Sequence, residues 1–299
     1  MSRGLRSIRV AEGNRRLMRL GYTDIADHPR LAACVREQAT FLLGMQQTDP
    51  RTASIFATQQ KWLMAHLALM LCFRYDDEPG GLHAAKVVDD IVAHGVASRN
   101  TADAFIREMR QYGYLSDAPV GDDRRARPFT ASSVSREAIF GWLAVHLKTL
   151  DGLDGGGRTA ALMATPKAVG RIHPLIAEGL LASPAIREPA SSFSLFTWLN
   201  EGGIVMDWLY VGLATTAPGC ERIASTVTSF ADIGDRIHLS RTHLARKLRM
   251  AEAMGSLGWE GARGKSTMWV SADFVRQYHQ QQATKLAIID QAFHEVFVS

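Results

Sequence analysis

Two stretches of this 299-residue chain repeat the same local pattern at one fixed spacing. Ser98-Arg99 opens a helical pattern that runs to Tyr112-Gly113-Tyr114-Leu115, and Ser240-Arg241 opens one that runs to Met254-Gly255-Ser256-Leu257, 142 residues further on. Serine before a helical pattern and glycine after it are start and stop signals. The hydroxyl accepts from the first free N–H groups, and glycine takes the left-handed closing turn without a Cβ clash. The spacing extends upstream, where Phe56, Trp62, Met64, Leu67 and Leu71 align with Trp198, Ile204, Met206, Leu209 and Leu213. A chain that keeps one spacing over such a length is constrained to fold as two copies of one domain.

In the first copy, Trp62, Leu63, His66, Leu67, Met70 and Leu71 recur at helical spacing, and Asp76-Asp77-Glu78-Pro79-Gly80-Gly81 breaks the chain. A second helix is expected over about 82–94, burying Ala85, Val88, Ile91 and Val92, and Gly95-Val96-Ala97 makes the turn. The third helix buries Ala102, Phe105, Ile106 and Met109, and a hairpin with Asp122-Asp123-Arg124-Arg125 at its tip follows. Ser132 or Ser133 then caps a long helix through Ile139, Trp142, Leu143 and Leu147. In the second copy a helix is expected from Ser229 to about Arg236, and a third helix burying Leu244, Leu248 and Ala251. A Gly-rich hairpin over 258–271 and a final amphipathic helix over 272–297 complete it. Helix, turn, helix, hairpin is the sequence form of a winged helix-turn-helix, so the expected fold is mainly α with small β-hairpin wings: two such domains as a pseudo-dimer.

The chain divides into an N-terminal arm and packing helix (1–54), a first domain (55–150), a linker with a short helix (151–192) and a second domain (193–299). Gly155-Gly156-Gly157 is the clearest linker, and in the packing helix Leu31, Val35, Phe41 and Leu42 form the apolar face. Apolar residues at 46% and charged residues at 21% are those of a protein able to bury ordinary cores. Cys34, Cys72 and Cys220 are distant and odd in number, which reads as reduced thiols. The first twenty residues carry repeated arginines and no long apolar run, and 63–73 is too short to span a bilayer; a cytoplasmic, nucleoid-associated protein is expected.

The net charge of +4 is mild, so the position of the basic residues matters more than their sum. A helix entering the major groove buries one face on its own domain and offers its first turns to base edges, where arginine can donate twice to guanine. Those positions hold Arg99, Asn100, Asp103 and Arg107 in the first copy, and Arg241, Thr242, His243 and Arg246 in the second, with Lys247 and Arg249 placed for phosphate. The hairpins add Arg124, Arg125 and Arg127, then Arg263 and Lys265, as backbone-positioning contacts. His238 and His243 lie five residues apart, which is not a same-face spacing, so no metal is expected. Gly155-Gly156-Gly157 lacks a following Lys-Ser/Thr and no Gly-x-Ser-x-Gly elbow occurs, so neither a P-loop nor a hydrolase nor any cofactor is expected. Trp62, Trp142, Trp198, Trp208, Met64 and Met206 are expected in the core, and Asp76-Asp77-Glu78 as an acidic loop.

Over Ile55–Leu150 the chain resembles MarR-type winged-helix regulators, on the strength of Tyr112-Gly113-Tyr114-Leu115 followed by an Asp-x-Arg wing, here Asp122-Asp123-Arg124-Arg125. The resemblance implies a wing arginine in the minor groove and dimerisation through helices outside the winged domain. The chain departs from that pattern in its short return strand with Pro128, in the repeated unit, and in a second copy without the Asp-x-Arg wing. The expected function is therefore a double-stranded-DNA-binding transcriptional regulator and not an enzyme. Three further readings stay open: a plasmid- or phage-type replication initiator, a winged-helix adaptor for proteins, and a small-molecule effector bound between the halves. A homodimer of the whole chain is open as well.

Overall fold

The computed structural model describes residues 18–48, 58–76, 78, 80–118, 127–189, 191–197, 202–214, 219–226, 241–263 and 265–298. The fold is mainly helical, with one two-stranded and one three-stranded antiparallel sheet. Helices α1 (Tyr22–Ala26) and α2 (Leu31–Thr48) precede a first unit of α3 (Gln59–Tyr75), α4 (Ala84–Ala93), α5 (Arg99–Gln111), β1 (Leu115–Asp117), β2 (Phe129–Ala131) and α6 (Ser133–Asp154). A central run follows, with α7 (Arg158–Ala164), a 3-10 turn, α8 (Val169–Ala182) and the single turn α9 (Pro184–Arg187). The second unit holds α10 (Ser191–Thr197), α11 (Gly202–Val211), β3 (Arg222–Ser225), α12 (Arg241–Ala253), β4 (Leu257–Trp259), β5 (Met268–Ser271) and α13 (Ala272–Phe297).

The 142-residue spacing carries through to hydrogen bonds. Helices α5 and α12 each have 13 residues and each ends in a left-handed glycine, Gly113 at φ 75° and Gly255 at φ 70°. Behind each glycine the next N–H reaches back five residues, Tyr114 to the Met109 carbonyl and Ser256 to that of Ala251, both at 2.9 Å. That is the Schellman closure, which satisfies carbonyls a helix end leaves free. Downstream, Ser132 N donates to the Tyr114 carbonyl and Ser271 N to that of Ser256, and both serines cap the long helices that follow. In the sheets, Leu82 bridges to Phe129 on β2, which pairs with β1; β3 pairs with β5, which pairs with β4. Both have the order of early strand, return strand, outgoing strand. Of the aligned upstream pairs, Met64/Met206, Leu67/Leu209 and Leu71/Leu213 are buried in both units, and Trp62/Ile204 half-buried in both. Phe56 and Trp198 lie outside the described residues, as does 227–240, where the second unit's middle helix and its turn were expected.

Several expectations are corrected. The Gly155-Gly156-Gly157 stretch is a helix-to-helix corner: Gly155 closes α6 at φ 75°, and Arg158, fully buried, opens α7. The supposed linker 151–192 forms the middle of the molecule, because Leu162, Ile172, Ile176, Ala177 and Leu180 are all inaccessible and α8 packs against α3 and α13. In α2 the buried stripe is Leu31, Cys34, Val35, Gln38, Ala39, Leu43 and Gln46, which leaves Phe41 outside at 53% exposure. In α4 it is Val87, Val88 and Ile91, while Ala85 and Val92 face solvent; the helix starts two residues later than expected, and Leu82 forms a β-bridge to Phe129. Met64 and Met206 are core, whereas Trp62, Trp142 and Trp208 are half-buried at its edge. Asp76 is no free acidic loop: its carboxylate accepts two bonds from Arg136, at 2.7 and 2.9 Å, and one from Thr130 at 2.8 Å.

Helix α2 packs against α6 of the first unit and α11 of the second, as its position between arm and core required. Arg36 donates to the carbonyls of Val211 and Leu213, closing the C-terminus of α11 with a cation. Buried Gln38 joins the two long helices, donating to Gln282 at 2.9 Å and accepting from Thr149 at 3.0 Å. A buried polar group with its partners in place fixes register. The closest helix contact is at Gly179 on α8, where a Cβ would lie 2.5 Å from Cγ2 of Ile288 on α13. That methyl sits on a branched carbon and cannot swing away. Gly179→Ala is therefore expected to destabilise the protein by about 1–3 kcal/mol despite alanine's better helix propensity. Urea unfolding of G179A checks this, and I288A in the same chain should restore part of the loss.

Candidate nucleic-acid interface

Helix α5 owes its position to four buried residues, Ala102, Phe105, Ile106 and Met109, the face read from the sequence. Ser98 caps it, accepting from Thr101 N, and Gly95 at φ 63° makes the turn from α4. Lys61 on α3 bonds both oxygens of Glu108 at 2.9 and 3.0 Å and locks the helix to the unit's first helix. The opposite face carries Arg99, Asn100, Asp103 and Arg107, all exposed. Arg99 pairs with Asp89 on α4 at 2.6 Å, an exposed contact that a phosphate can replace at little cost. Arg110 lies further round: it donates to the Arg127 carbonyl at 2.8 Å and stacks 5.0 Å from the Phe129 ring centre, so it holds the base of the hairpin. Arg127 is exposed; Arg124 and Arg125 lie outside the described residues.

Helix α12 buries Leu244, Leu248 and Ala251 and exposes Thr242, Arg246 and Arg249. Arg241 and His243 are on the helix, but their side chains lie outside the described residues. Lys247, expected to be exposed, is half-buried, at the position that Phe105 fills in α5; a lysine there can still turn its ammonium outward. Arg263 is exposed, pairs with Glu252 and lies 5.3 Å from the Trp259 ring centre, folded back on its own hairpin. Lys265 is exposed at the tip. Arg249, expected at the phosphates and the counterpart of Arg107 at the 142-residue spacing, is exposed with Arg246 on the same helix.

The outer face of the second sheet holds a group with no counterpart among the expectations. Trp269 on β5 lies across Gly258 on β4, where a Cβ would meet the indole at 2.4 Å, and Arg222 on β3 stacks 4.4 Å from its ring centre. The ring stiffens the three strands from outside. Among the described residues no three His, Cys, Asp or Glu side chains are arranged to hold a metal, and no helix is long and apolar enough to cross a membrane.

The arrangement offers two capped helices, each with one face anchored and the other polar and basic, each followed by a hairpin. Such surfaces can place guanidinium groups against phosphate and base edges. Comparison of the chain with family models, with curated proteins and with solved structures gives no match in any of the three.

Proposed function

We propose that the chain binds double-stranded DNA through two winged helix-turn-helix units in one polypeptide, a covalent pseudo-dimer, and regulates transcription by doing so. The carrying observation is the pair α5 and α12: equal in length, closed by the same Schellman bonds, followed by hairpins in sheets of the same strand order, and exposed on the face that bears arginine. The first unit's resemblance to MarR-type regulators supports the same reading. Base contacts fall to Arg99, Asn100 and Arg107 in one unit and Thr242, Arg246 and Arg249 in the other, with Arg241 and His243 alongside. Arg127 and Lys265 serve the backbone.

The test is a gel-shift and genome-wide binding experiment with the full chain. Arg246→Ala/Arg249→Ala is expected to weaken binding roughly 10–100-fold and to reduce the slope of log affinity against log salt by about 1–2 units. Binding peaks at promoters support regulation. Peaks confined to a replication origin replace it with the initiator reading, and a variant with unchanged affinity and salt slope overturns DNA contact by this face.

A further inference from the structure

The exposed faces of α5 and α12 are not equivalent. At the 142-residue spacing Arg99 matches Arg241, Asn100 matches Thr242 and Arg107 matches Arg249, but Asp103 matches Ala245. Asp103 is exposed in the middle of the first helix face, one turn from Arg99 and one from Arg107. Arg99 turns away to Asp89, and among the described residues Asp103 makes no ion pair, even with Arg107. Ala245, half-buried, presents only a methyl group.

On the DNA-binding reading above, a carboxylate on this face must enter a groove flanked by phosphates, where it is repelled unless a base supplies a donor. The major-groove edge decides which base. Guanine offers two acceptors, thymine an acceptor and a methyl, and the adenine amino group lies between its own N7 and the thymine O4; the cytosine amino group alone has an acceptor, the guanine O6, on one side only. We infer that Asp103 selects a cytosine in the half-site read by α5, and that α12, with Ala245 there, reads a half-site without that requirement. The two units then bind one duplex in a single orientation, since exchanging them would set Asp103 against the wrong base. Asp103 works by exclusion as much as by attraction: it rejects bases whose acceptors meet it.

Selection from a randomised duplex library by the full chain, at fixed salt, tests this. The expected motif has two parts, with cytosine favoured roughly tenfold at one position of one part only. Asp103→Ala is expected to abolish that preference while holding or strengthening affinity for unrelated duplex, because it removes a negative charge. Ala245→Asp is expected to add a cytosine at the matching position of the other part. Equal thermal melting of the variants and the parent chain separates these effects from loss of fold. Identical motifs in both parts, or an unchanged cytosine preference in D103A, overturns the role of Asp103 while leaving DNA binding standing. Absence of any enrichment or shift overturns the DNA-binding reading and this assignment together.

Discussion

Arg158→Ala is expected to cost about 3–5 kcal/mol, the loss typical when one partner of a buried ion pair is removed and the other remains. The guanidinium is wholly inaccessible and its fork is filled: Nε donates to Asp290 at 2.5 Å, and the two terminal nitrogens donate to the two oxygens of Asp154 at 2.8 and 2.9 Å. Burial on its own would raise the Asp154 carboxyl; the guanidinium reverses this and holds it below the usual carboxylate range. Asp290 is equally inaccessible, and its second oxygen accepts from Leu20 N at 2.6 Å. One cation thus ties the end of α6, the start of α7, the middle of α13 and the residues ahead of α1. Without it Asp290 keeps a buried charge answered by the Leu20 N–H and by His294, 3.7 Å away. Arg158→Met/Asp290→Leu removes both buried charges, and Asp154, partly exposed, can hydrate instead. The double variant is expected to be more stable than R158A by about 2 kcal/mol or more. Urea unfolding at pH 7 reads both. A loss below about 1 kcal/mol in R158A would show that water reaches this cluster.

Arg158 also marks where sequence reading stops. An arginine after three glycines reads as a solvated linker, because its partners Asp151 and Asp154 look like ordinary surface acids and Asp290 lies 132 residues away. No local pattern announces a contact of that range. The same holds for α8, whose Pro174 reads as punctuation although Ile172, Ile176, Ala177 and Leu180 beside it are inaccessible. Periodic features were legible for the opposite reason. In α5 the buried set Ala102, Phe105, Ile106 and Met109 follows from the 3.6-residue period between an N-capping serine and a closing glycine, all within one stretch of chain. Leu82 and β3 were missed because one to four strand residues carry too little alternation to recognise, yet they complete the sheets. Lys247 was read as exposed from its residue type and is half-buried: the repeat sets it where Phe105 stands in α5, and a long stem suits that place while leaving the ammonium free to turn outward.

Acid is expected to unfold the protein by forcing protons onto its buried histidines. His66, His146 and His173 come from α3, α6 and α8 and are all buried, with His66 Nδ1 2.9 Å from His173 Nε2. His146 Nδ1 lies 2.7 Å from the Trp142 carbonyl and so carries the proton as donor, which leaves Nε2 unprotonated and without a partner among the described residues. Burial pushes His66 and His146 well below the ordinary imidazole range and His173 down to about 3, and Lys285 nearby adds repulsion to the first two. A folded pKa below the unfolded value of about 6.5 means that the unfolded chain binds the extra proton, so the stability is full above pH 6.5 and falls by about 1.4 kcal/mol per histidine per pH unit below it. Asp207 works the other way: burial raises it to about 6, so between pH 6 and about 3.9 the folded form holds the extra proton and one histidine is offset. Lys285, lowered by burial to about 8, has the same charge in both states below that pH and adds no slope there. The three histidines outnumber Asp207, and His279 and His294, which burial also lowers, fall on the same side. Stability therefore drops as pH falls below about 6.5 by about 1.4 kcal/mol per pH unit for each net proton, from a total that for most domains is about 5–15 kcal/mol. Circular dichroism against pH is expected to show cooperative unfolding between about pH 5 and 4. His146→Leu isolates the cause: it removes an unpaired acceptor, and the slope of urea-derived stability between pH 6 and 5 should fall by about 1.4 kcal/mol per unit. An unchanged slope in H146L would mean that this imidazole takes up its proton inside the folded protein, and that the acid sensitivity arises elsewhere.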